Sequence, residues 1–151
     1  MNRKRVVESK TLHDTEYSQE ASSSSFMSYL ALVQSVYFAA TGIWPLFSIG
    51  TFEKVTGPKA DHWLVQTVGV LVTIIGAVLA VSGLRRKIPP ETVLLAVGSA
   101  LGLAGVDLLF VAKKRISRIY LLDAVAEVIL VALWILAWNA AAQERSTRAA
   151  E

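Results

Sequence analysis

Three acids lie inside long apolar runs of this chain: Asp107, Asp123 and Glu127. A carboxylate in hydrocarbon costs a few kcal/mol, so it faces protein or water and often marks function. Asp123 and Glu127 are four residues apart, about 40° around one helical face. Counted from Arg115, in the middle of the basic turn Lys113-Lys114-Arg115-Ile116-Ser117-Arg118, Asp107 lies eight residues back and Asp123 eight on. An antiparallel hairpin about that turn puts both roughly 10 Å below it, with Glu127 about 6 Å deeper. Three carboxyls in one such pocket must share protons, as proton-coupled carriers require. The competing expectation is pairing. Lys113, Lys114, Arg115 and Arg118 are near enough to snorkel back towards Asp107 and Asp123. Glu127 has no cation in easy reach. It is the foremost candidate for proton or ligand binding, with Gln34 or Gln66 as hydrogen-bonding partners.

The elements that position these groups are four apolar spans. The chain is 54% hydrophobic, with a mean hydropathy of +0.49. Runs near 20 residues match a hydrocarbon core of about 30 Å. The expected fold is all-α: an integral membrane bundle of four transmembrane helices, antiparallel and up-down. The spans are about 26–49, 63–84, 91–112 and 119–139. Residues 1–25 read as a disordered polar tail ending in four serines, with too little apolar area to offset chain entropy. Its basic start has no apolar segment directly after it, so it does not read as a cleaved signal peptide. Residues 140–151 read as a polar C-terminal tail that carries the last helix on for a turn or two.

In the first span, Pro45 is expected to kink or end the helix. Trp44 and Phe47 suit the membrane interface. The loop from Gly50 to His62 holds the turn Gly57-Pro58, with Asp61 placed to cap the next helix. The second span carries Gln66, Gly69, Thr73, Gly76, Ala80 and Gly83 at spacings of three or four. In a bilayer such a stripe lets another helix approach closely. Arg85 to Pro90 is a short basic connection whose two prolines separate the spans. The third span shows Gly98, Gly102 and Gly105 on one side and Ala100, Ala104 and Asp107 on another. Two close-packing faces predict a central helix or a contact between copies of the chain.

Other chemistries find little footing. Cysteine is absent, so disulfides, thiolate catalysis and cysteine-held metals are ruled out. The two histidines, His13 and His62, lie outside the spans, where they cannot ligate a membrane haem. No HExxH, P-loop or GxSxG occurs. No enzyme activity, metal or cofactor is expected. The net charge of +3 comes from loop cations that suit lipid headgroups better than nucleic acid. Lys and Arg divide nine to six in favour of the side holding both termini. Counting only those near a span evens the ratio, so insertion in both senses is an alternative. The reading is an inner or plasma membrane protein with cytoplasmic termini.

In its small size, its membrane acids and its even charge balance, the chain resembles small multidrug resistance carriers, which are four-helix antiparallel dimers. Their essential glutamate lies in the first helix. The first span here has no acid, so no residue is carried over. In outline, over Phe26 to Asn139, the chain also looks like small four-span bacterial inner-membrane proteins of a general DoxX-like kind. That resemblance implies a structural or accessory role, with the acids buried between the last two helices. It is the first expectation, and proton-coupled transport of a small molecule through Glu127 is the second. The partners expected are the bilayer, an unknown small ligand and further copies of the chain.

Overall fold

The computed structural model describes residues 3–148, with side chains from Ser25 onward except those of 144, 145, 147 and 148. The described residues form helices and turns, with no strand among them. The helices are α1 (Arg3–Phe47), α2 (Ile49–Thr56), α3 (His62–Leu84), α4 (Pro90–Ala112) and α5 (Tyr120–Arg148). Four segments are long and apolar enough to cross a membrane: Ser25–Phe47, His62–Leu84, Pro90–Ala112 and Tyr120–Gln143. Their outer faces carry exposed Val70, Leu71, Ile74, Leu94, Leu101, Leu108, Leu122, Ile129 and Leu136. An apolar surface of that extent suits acyl chains rather than water. The chain is a four-helix membrane bundle.

The disordered tail expected over 1–25 is not what the backbone does. From Arg3 it is helical and continuous with the first span. Once the apolar span has nucleated a helix, each further residue adds a hydrogen bond without a new nucleus. At the other end, α5 runs on to Arg148, nine residues past the expected end of the span at Asn139. Residues 149–151 lie outside the described residues.

The tightest packing is between α1 and α3, and it follows a seven-residue rhythm. A Cβ added to Gly83, Gly76 or Gly69 would meet the carbonyl oxygen of Ser28, Ser35 or Gly42, at 2.9, 3.1 and 2.5 Å respectively. Positions 28, 35 and 42 on α1 thus pair with 83, 76 and 69 on α3, as antiparallel helices require. Val72 and Leu79 fill the intervening buried positions of α3. This is a heptad seam with glycine in place of a large knob. The small stripe on the second span does face another helix. Gln66, expected on that stripe, is exposed instead.

Pro45 does not end α1, which continues to Phe47. Its ring packs close to Gly69. The break comes at Ser48. The short helix α2, which the sequence reading treats as loop, then turns back, with Trp44 Nε1 donating to Thr51 Oγ1 at 3.0 Å. Trp44 also meets the Phe52 ring edge-on at 5.7 Å.

The centre of the bundle is α1, not the third span. It packs on α3 and on α5, and Gln34 reaches α4. One small face of α4 (Thr92, Ala96, Ala100, Ala104 and Asp107) is buried. The other small face is open, because a Cβ at Gly98, Gly102 or Gly105 would meet nothing within 4 Å. Among the described residues, no helix of the chain packs on those three glycines.

Both α3 and α4 end in non-glycine residues at positive φ, Arg86 at 51° and Lys114 at 53°. At Lys114, the amide of Arg115 donates to Phe110 O and that of Lys114 to Val111 O. These paired bonds close the helix end in a Schellman turn. They leave the basic turn facing outward.

The α2–α3 connection is clamped by Glu53. Its Oε1 accepts the Lys59 amide at 2.7 Å and sits 2.9 Å from His62 Nε2. Asp61 stands at the cap position of α3 but makes no side-chain cap bond. The Lys59 amide, followed by the His62 ring, holds the Glu53 carboxyl below the ordinary glutamate range. The folded value is the lower one, so this clamp favours the closed loop above the ordinary range. That advantage disappears as pH falls through the folded value. Hydrogen exchange at the Lys59 amide, corrected for its intrinsic rate, is expected to quicken on acidification in the wild type. In Glu53→Gln it should change little with pH. Equal pH dependence in the two proteins would refute the clamp.

Candidate functional site

The acids of α4 and α5 meet between α1, α4 and α5. Asp107 is 7% exposed and Glu127 1%, while Asp123 is half-buried. Position 107 lies five residues before the end of α4 and position 123 three residues into α5. Similar depth in an antiparallel pair brings their carboxyls together side chain to side chain. Glu127 lies one turn deeper on the same face of α5. From α1, the Tyr37 hydroxyl donates to Asp123 Oδ1. The span α3 has no titratable side chain between His62 and Leu84, so the site belongs to three helices.

Below the acids a second polar node ties the same helices. Gln34 is fully buried. Its Nε2 donates to the Ala96 carbonyl on α4 at 3.0 Å. Its Oε1 accepts from Trp134 Nε1 on α5 at 2.7 Å. Both polar atoms of its amide are engaged, and neither bond goes to Glu127. The expectation that Gln34 or Gln66 partners Glu127 is therefore corrected. Gln34 is committed elsewhere, and the exposed Gln66 lies on α3, which carries none of this site.

The expected pairing of the acids with the basic turn is also absent among the described residues. The ion pair seen there joins Glu53 and His62. Lys113 lies over the Phe110 ring, 5.7 Å from its centroid. Lys59 lies over Tyr120 at 4.8 Å. Lys114, Arg115 and Arg118 are exposed. Two acid oxygens, Asp107 Oδ2 and Glu127 Oε2, are buried without a hydrogen-bond partner. Orphaned buried polar atoms are rare in folded proteins and call for an explanation. Among the described residues, no set of three acids or histidines stands close enough to hold a metal ion.

Sequence reasoning finds the three acids and their common depth. It misses the bond of Tyr37 to Asp123 and that of Trp134 to Gln34. A signal exists for the first. Tyr37 is three residues after Gln34, on the same face of α1, and buried tyrosine hydroxyls seek partners. No known protein family, curated protein or solved structure matches the chain.

Proposed function

We propose that this membrane protein is a proton-linked, carrier-like binder of a small solute, with Asp107, Asp123 and Glu127 as the exchanging groups. The observation that carries the reading is the buried acid cluster with two oxygens unbonded and, among the described residues, no cation paired with it. A purely structural bundle gains nothing from such a cluster, because alanine at these positions would pack without the cost of burying a carboxyl. The structural or accessory role rests on a different feature, the Gln34 tie. That tie explains how three helices are held and makes no use of the acids. Orientation belongs to the same proposal. The nine-to-six distribution of Lys and Arg supports cytoplasmic termini in an inner membrane. No catalytic step enters the reading.

The mechanism follows from the geometry. Tyr37 on α1 fixes Asp123. Asp107 on α4 meets Asp123 from the facing helix, and Glu127 completes the set one turn below. A proton can move within this group without crossing hydrocarbon. A solute that engages Asp107 or Glu127 changes how many protons the group retains, which is the coupling a carrier needs.

The test uses thermal unfolding of purified protein in detergent, from mildly acid to mildly alkaline pH. The wild type should show a pH-dependent stability. Glu127→Gln should flatten that dependence by up to one proton, about 1.4 kcal/mol per pH unit, while keeping its helical content. Parallel curves from two folded proteins would remove Glu127 from the proposal.

A further inference from the structure

Among the described residues, three donors near the acid cluster are engaged. Tyr37 gives its hydroxyl proton to Asp123, Trp134 gives its indole N–H to Gln34, and Gln34 gives its amide to Ala96. Asp107 Oδ2 and Glu127 Oε2 are left as acceptors. Both belong to side chains more than nine-tenths buried. Whatever completes them must bring its own N–H or O–H groups, and three acids with no cation favour one that brings positive charge. Ala104 stands three residues before Asp107 and Ala124 three before Glu127, and both are buried. Among the described residues, no three acids or histidines stand close enough together to hold a bare metal ion.

We infer that the solute is a small amine carried as its ammonium ion, whose N–H groups donate to Asp107 Oδ2 and Glu127 Oε2. This rests on the proton-linked reading above and names its substrate class. When a primary ammonium binds, one carboxylic O–H bond breaks and its proton leaves to solvent. The resulting carboxylate accepts an N–H from the ligand, so one cation enters the site as one proton departs. A quaternary ammonium supplies the same charge but no N–H, and it leaves both oxygens unbonded.

The experiment titrates wild-type protein in detergent with methylammonium and with tetramethylammonium at constant ionic strength. Binding is read from tryptophan fluorescence and proton release in weak buffer. Methylammonium should bind saturably, at least about tenfold tighter than tetramethylammonium, since one of its two hydrogen bonds to charged groups already supplies that difference. It should release about one proton per ion bound. Asp107→Asn and Glu127→Gln should each weaken methylammonium about tenfold, so a folding failure in one variant leaves the other to decide. Equal affinity for the two ions, preference for the quaternary ion, or no methylammonium binding would overturn the inference. If amines fail but stability still depends on pH through Glu127, the proton-linked reading stands with a different solute. If Glu127 exchanges no proton at all, both fall.

Discussion

Gly69→Ala loosens α1 from α3 and costs about 1–3 kcal/mol, while Gly102→Ala on α4 leaves stability unchanged or improves it by up to about 1 kcal/mol. The two changes are chemically identical and fall in spans of equal length. They differ in what the new methyl meets. At position 69 it would lie 2.5 Å from the Gly42 carbonyl oxygen and 3.2 Å from the Pro45 ring. A backbone oxygen on a packed helix cannot step aside as a flexible side chain can, so the helices must part. Thr73 stands near the same crossing, its hydroxyl bonded to Gly69 O. At position 102 the methyl would meet nothing within 4 Å, and alanine is the better helix former. Unfolding in mixed micelles of increasing denaturing detergent reads both. Losses of similar size at the two positions would contradict the α1–α3 seam.

Gln34→Leu is expected to be about as costly, roughly 1–3 kcal/mol, for a different reason. It leaves the Trp134 indole N–H buried with no acceptor. In hydrocarbon no water can replace the lost partner. Trp134→Phe in the same background removes the stranded donor. The double variant should therefore be less unstable than the two single changes added together. Simple additivity in that cycle would mean the Gln34–Trp134 bond contributes nothing to holding α1 against α5.

Most of the architecture is legible in the residues because hydrocarbon imposes a simple rule. Only long runs without charge can cross it, and only helices satisfy the backbone there. The stripe from Gly69 to Gly83 is legible for the same reason, since close approach between membrane helices needs small side chains. The choice between two small faces on α4 is not legible. Gly98-Gly102-Gly105 and Ala100-Ala104-Asp107 both satisfy the rule, and only the packing of the whole bundle decides that the second is buried. The helical state of residues 3–25 is missed because composition reports the lack of apolar area and not the helix already running beside it. The short helix α2 is hidden by Gly50 and Thr51 near its start, which weaken any helical signal.

For the acids, counting from the turn finds the meeting of Asp107 with Asp123, because depth is a local property of a hairpin. Partner choice is not local. Gln34 is 62 residues from Ala96 and 100 from Trp134, and nothing in its own span shows that its amide is taken. The cations of the turn are close enough in sequence to pair with the acids. All four are exposed, and the positive φ at Lys114 has no signal in the sequence.

Everything functional proposed for this protein depends on Glu127 holding an exchangeable proton inside the bundle. A proton-counting titration of vesicle-reconstituted wild type against Glu127→Gln, from mildly acid to mildly alkaline pH, addresses that alone. The wild type should exchange about one more proton, reversibly, than the variant, with both showing the same helical content. Superimposable titrations from two folded proteins would leave Glu127 as an inert buried acid and end the case for proton-linked binding.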